Sequence, residues 1–183
     1  MTVQEYFNAL ATCGTDLEAT PWSMPDAMAA CVSWLKDARA GRHVVHLMGN
    51  GGSAEVVEHA QVDLVKACRM KALAHPSGTG MVTAYANDHG YERSVLLPLG
   101  VWLEPEDVVI AVSSSGMSPN IVQASKAALR TGARLITLSG FLPKNHLRQL
   151  GHVNFYVPRE KYGFVEQAHG TLLHCLTDEL ASA

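Results

Sequence analysis

The sequence lacks most of the features that place a chain in a membrane, on nucleic acid or outside the cell. No apolar stretch approaches the ~20 residues of a membrane-spanning helix. The opening Met1-Thr2-Val3-Gln4-Glu5 has neither the basic start nor the apolar core of a signal peptide. Lys and Arg number 14 against 17 Asp and Glu, a net charge of −3, and the basic residues are scattered, so no general attraction to nucleic acid is expected. The four cysteines, Cys13, Cys31, Cys68 and Cys175, form no CxxC pair. Each is expected to be a buried, reduced thiol rather than a disulfide or a metal ligand. There is no internal repeat, low-complexity segment or sign of a second domain. These absences leave a cytoplasmic globular protein, and 183 residues with 48% hydrophobic content suffice for one core.

What is present is an alternation. Strands are expected at His43–Met48, Lys71–Ala74, Val108–Val112, Leu135–Leu138 and Val153–Val157. Helices are expected at Ala54–Ala67, Tyr91–Leu99, Asn120–Thr131, Lys144–Leu150 and Phe164–Leu180. Short apolar strands between helices imply a parallel sheet covered on both faces. Two further helices, Val3–Glu18 and Pro25–Ala40, precede the first strand. They form a leading helical hairpin over 1–40 ahead of an α/β core over 41–183. Their apolar faces, with Trp34 and Leu35 in the second, suit either a partner subunit or the chain's own sheet.

The organising stretch runs from His43 to Glu55. An apolar strand breaks into Gly49-Asn50-Gly51-Gly52-Ser53, then a helix begins. The first N–H groups of a helix lack intrahelical partners, so this turn is either an anion site or an ordinary strand-to-helix connection. It has neither the dinucleotide glycine spacing nor the Lys of a P-loop. A second loop, Ser113-Ser114-Ser115-Gly116-Met117-Ser118-Pro119-Asn120, follows the run Val108–Val112. Four hydroxyls in six residues exceed the needs of a helix cap. With a helix N-terminus they hold a phosphate without any cationic side chain. In parallel sheets ligands bind at the carboxyl ends of strands, where both loops lie.

These two loops resemble the signatures of the sugar isomerase (SIS) domain, in its branch of sedoheptulose 7-phosphate (phosphoheptose) isomerases. The similarity continues through Ala86-Asn87-Asp88-His89-Gly90-Tyr91-Glu92 and Glu166-Gln167-Ala168-His169…His174, and spans nearly the whole chain. The resemblance implies a single SIS domain over 1–183, a five-stranded parallel sheet between helices of Rossmann or flavodoxin-like type. It also implies a homotetramer with sites between subunits, aldose–ketose isomerisation of a phosphorylated seven-carbon sugar, and zinc in some members. Residue by residue, it implies that Ser113, Ser114, Ser115 and Ser118 hold the phosphate, and that Asn50, Gly51, Ser53 and Asp88 contact the sugar. His174 matches the catalytic His and His59 a metal ligand. Asp63 stands where the family has its catalytic Glu, and Glu166 where it usually has Gln.

The residues themselves are compatible with this. His59 and Asp63 are four apart and share a helix face. Glu166 and His174 lie eight apart on the last helix, with Gly170 between them, a residue that costs about 1 kcal/mol relative to Ala mid-helix. By themselves the two His and two carboxylates, His59, Asp63, Glu166 and His174, are either a tetrahedral zinc set or separate satisfied polar residues, and the resemblance favours the zinc set. Isomerisation through an enediol needs a base and an acid, here Asp63 and His174, with Glu166 as a competing base. His46, His75, His89, His146 and His152 show no comparable pattern and are read as structural. The alternative to an enzyme is a non-catalytic sugar-phosphate-binding or interaction protein of the replication-initiator-associated type. A transcriptional regulator is disfavoured by the lack of a helix-turn-helix segment.

Overall fold

The structure, a computed structural model, describes residues 2–182. Six strands form one sheet: β1 (Glu18–Thr20), β2 (Val44–Met48), β3 (Lys71–His75), β4 (Val108–Ser113), β5 (Arg134–Gly140) and β6 (Val153–Val157). Their spatial order is β1-β6-β5-β4-β2-β3. Five are parallel, as expected from the sequence, and β1 is added antiparallel on β6. Among the described residues seven α-helices accompany them: α1 (Val3–Thr15), α2 (Met24–Gly41), α3 (Gly52–Lys66), α4 (Thr79–His89), α5 (Leu96–Trp102), α6 (Pro119–Thr131) and α7 (Tyr162–Ala181).

Strand β4 shows why the sheet is covered twice, since every one of its residues is buried. Val108, Ile110 and Val112 join a core with Leu35, Leu47, Leu64, Phe155 and Leu173, under α2, α3 and α7. Val109 and Ala111 face the other way, toward Leu99, Ile121 and Leu135. The chain leaves β2 for β3 on one side and returns to β4 on the other. The ends of β2 and β4 therefore flank a switch point, and both recognition loops start there.

The structure corrects several expectations. Helix α1 stops at Thr15 rather than Glu18, because the chain turns to pair Glu18–Thr20 with β6. The segment 79–89 is helical although no helix is expected there; none of its residues is buried, so it has no apolar stripe to betray it. The expected Tyr91–Leu99 helix is a 3₁₀ turn at Tyr91–Arg93 followed by α5, and Lys144–Leu150 retains only a 3₁₀ turn at Leu147–Gln149. Leu35 is buried in the chain's own core with Trp34 packed against it, so α2 covers its own sheet. Cys13, Cys31 and Cys68 are buried free thiols, with burial pushing Cys31 up to about 12. Cys175 is free but exposed. Among the described residues no helix is long and apolar enough to cross a membrane.

Candidate active site

The serine loop begins inside the sheet. Ser113 is the last residue of β4, and Ser113 and Ser114 are buried. Ser113 Oγ lies 3.1 Å from Ser118 Oγ and accepts from the Gly116 N–H at 3.2 Å, while Ser115 Oγ accepts from the Met117 N–H at 3.2 Å. Gly116 has a left-handed φ of +64°, and a Cβ there would collide with the Asn145 side chain, so this tight return needs glycine. Helix α6 then starts at Pro119 with Ser118 as its N-cap. The Ser118 side chain makes no cap bond to the first N–H groups of that helix. Ser114 Oγ is buried and has no hydrogen-bond partner among the described residues. A buried hydroxyl seldom stays unpaired unless a ligand or water satisfies it.

The serines face the first loop across a cavity of about 350 Å³, which Asn50, Gly51 and Ser53 also line. Asn50 is not a free donor. Its Nδ2 donates to Asn120 Oδ1 at 2.9 Å, and its Oδ1 accepts from Asn120 Nδ2 at 2.8 Å and from the Tyr91 hydroxyl at 3.0 Å. Asn50 therefore stitches the two loops together. Asn120 and Tyr91 stand inside the motifs quoted above, but nothing in the sequence marks them as partners of Asn50.

A second cavity, of about 250 Å³, lies between α3 and α7 and is lined by His59, Asp63, Glu166, Gly170 and His174 among others. His59 Nε2 is 3.6 Å from Asp63 Oδ2, and His174 Nδ1 is 3.4 Å from the same oxygen. The imidazoles meet edge to face at 5.0 Å. One ligand atom from each of the three residues falls within 4.8 Å of the others. Two ring nitrogens and a carboxylate oxygen are donors that zinc accepts, so these residues fit a divalent ion. Glu166 shares the cavity but does not join this group of three.

Glu166 has a different place. It lines both cavities, as does Gly52 at the start of α3. A Cβ on Gly52 would come within 2.5 to 2.6 Å of the Glu166 carboxylate, so glycine permits this approach to the helix N-terminus. Burial, and then the charge of Glu55, raise the Glu166 carboxyl above its ordinary range. Asp88 is the site residue that the fold does not bring in. It is exposed on α4, accepts from the neighbouring Asn87 side chain, and lines neither cavity.

Comparison with known proteins matches this arrangement. Residues 5–140 fit the model of the SIS domain. A phosphoheptose isomerase of Syntrophotalea carbinolica is 35% identical over 147 residues, covering 78% of this chain and 74% of that protein. One from Geotalea daltonii is 31% identical over 169 residues, covering 90% and 88%. The solved structure of a phosphoheptose isomerase from Francisella tularensis superposes over 100% of both chains with a TM-score of 0.88 at 20% identity, which speaks to the fold. With the two loops, the paired helices and these relatives together, the chain belongs to the SIS domain family and, within it, to the phosphoheptose isomerases.

Proposed function

We propose that this protein is an aldose–ketose isomerase that converts sedoheptulose 7-phosphate to a heptose 7-phosphate through an enediol. The observation that carries the reading is the sharing of Gly52 and Glu166 between the serine cavity and the His59–Asp63–His174 cavity. A ligand held at one end by its phosphate thus reaches acid–base side chains at the other. Ser113, Ser114, Ser115 and Ser118 hold the phosphate together with the N-terminus of α6, and the unpaired Ser114 hydroxyl supports this. Asn50, Gly51 and Ser53 border the sugar chain, and Asp88 reaches it from a neighbouring subunit of a homotetramer. The whole of 1–183 acts as one SIS domain, in the cytoplasm.

At the reacting carbons, Asp63 takes the proton and His174 serves the oxygens as acid. Their 3.4 Å separation supports this pairing, because a base and an acid this close can serve adjacent atoms. The position of Glu166, facing both cavities with a raised carboxyl pKa, favours it as the second candidate for the base. His59, Asp63 and His174 would hold zinc, and Glu166 lines the same cavity outside that group of three. Such an ion polarises a carbonyl and its neighbouring hydroxyl together. Incubation with a panel of phosphorylated ketoses, with and without zinc and followed by NMR, tests the reading. Aldose formation supports it, and no turnover of any heptose, hexose or pentose phosphate removes it.

A further inference from the structure

A third cavity, of about 350 Å³, borders the Gly49–Gly51 turn but is lined by none of the loop serines and none of His59, Asp63 and His174. One of its walls is His75, the last residue of β3, only 5% exposed. Behind His75 runs a buried polar chain. His46 Nδ1 lies 2.9 Å from His75 Nε2, and His46 Nε2 lies 3.0 Å from Asp107 Oδ2. The Asp107 carboxylate also accepts from the Val44 and Glu104 N–H groups, each at 2.8 Å.

This chain fixes the tautomers. A carboxylate only accepts, so His46 donates from Nε2 and keeps an accepting Nδ1. His75 must then donate from its own Nε2, which leaves its Nδ1 as a bare lone pair. That nitrogen has no hydrogen-bond partner among the described residues, on a side chain that lines the cavity. Burial, and then His46, lower His75 to about 4, so the ring is neutral at ordinary pH. Two hydroxyls around it are also left as acceptors. The Tyr91 hydroxyl has given its hydrogen to Asn50, and the Ser94 hydroxyl has given its own to the Tyr91 carbonyl at 2.7 Å. Glu58 adds a carboxylate, no Lys or Arg lines the space, and Val57, Pro76 and Val82 supply apolar walls.

We propose that this cavity is a second ligand site, taking an uncharged polyhydroxylated small molecule whose hydroxyls donate to His75 Nδ1 and the oxygens around it. An anion would meet the Glu58 carboxylate with no cation to offset it. The site stands independently of the isomerase reading, because it shares only the Asn50–Gly51 turn with the serine cavity.

Long-range proton–nitrogen NMR on the full chain with labelled histidine tests it at pH 7. The free protein should show His75 as the neutral Nε2–H tautomer. Titration with ribitol or mannitol should move its Nδ1 resonance upfield and saturate, while inorganic phosphate should leave it in place. Val82→Trp or Thr79→Trp fills the space from α4 without touching the Asp107–His46–His75 chain. Whichever variant keeps the free-state histidine pattern should lose the polyol response and keep isomerase turnover. The opposite tautomer, no response to either polyol, or a response that survives the blocking variant would each overturn the site. A polyol response abolished by Ser115→Ala would also overturn it, by assigning the probe to the phosphate loop. Absence of isomerisation with the polyol response intact strikes the isomerase reading and leaves this one standing.

Discussion

The serine loop and the His59–Asp63–His174 cluster are built to different degrees by one chain. The loop grows out of a fully buried strand, turns at a glycine that tolerates no side chain, and holds Ser113, Ser115 and Ser118 in hydrogen bonds within the loop. The cluster hangs between two helices with side-chain exposures of 62% for His59, 53% for His174 and 29% for Asp63. Its ion-pair distances of 3.4 and 3.6 Å are long for hydrogen bonds. A phosphate anchor must be rigid before the ligand arrives, whereas acid–base groups tighten around substrate, metal or a neighbouring subunit. On the proposed function the lesson is a division of labour, with binding assigned to the loop and rate to the cluster.

That division predicts a separation of effects. Asp63→Asn and His174→Ala should each lower kcat by at least about 10²-fold while leaving KM near wild type, since they serve proton transfer. Steady-state kinetics by NMR or coupled assay decides, and a pure KM effect would erase the contrast between the two regions. Ser115→Ala should do the reverse, weakening phosphosugar binding by about 1–3 kcal/mol with competition by inorganic phosphate reduced in step. Equal calorimetric affinities for wild type and mutant would place the anchor elsewhere. Glu166→Gln sharpens the comparison at its boundary. With Asp63 as base, it should change kcat by less than about tenfold, and a 10²-fold loss would move the base to Glu166.

A smaller effect concerns stability. His75 and the fully buried His169 are both pushed down to about 4 by burial, and so stay neutral in the fold. An unfolded chain protonates them near their ordinary 6.5. Between those values the unfolded state binds more protons, so stability is lost as pH falls from about 6.5 toward 4. Calorimetry across that window should show a falling Tm, and His169→Leu should make the fall shallower. An unchanged slope in that variant would show that His169 takes no part.

How much of this was legible in the sequence depended on whether the chemistry was contiguous. The serine loop, Pro119 and the buried run before them lie in thirteen successive residues, so their fold and their role could be read together. His59 and Asp63 could be placed on one helix face, but bringing His174 to them required the packing of α3 on α7, a contact that no local pattern encodes. The bond between Asn50 and Asn120 spans 70 positions and left no trace. Strand β1 is three residues long, too short to alternate visibly, and α4 buries nothing. Nothing local in the sequence marks His46 and His75 as more than structural, because their partner Asp107 lies far along the chain, and only the register of β2 beside β3 and β4 brings the three together.

Oligomeric state bears on the open side of the comparison. Phe7, Val101 and Trp102 are 63%, 73% and 59% exposed on the chain, apolar area that association would cover. Light scattering at micromolar concentration should report a tetramer, and a clean monomer would leave Asp88 without a site to serve.

The most direct test of the central claim is NMR of sedoheptulose 7-phosphate incubated in D₂O with the zinc-supplemented protein. An aldose heptose 7-phosphate should accumulate, with deuterium entering at C2 from the exchanged acid–base group, and Asp63→Asn should suppress both signals together. A ketose spectrum unchanged after prolonged incubation, with phosphate still competing for the serine loop, would contradict the account and leave a sugar-phosphate-binding protein.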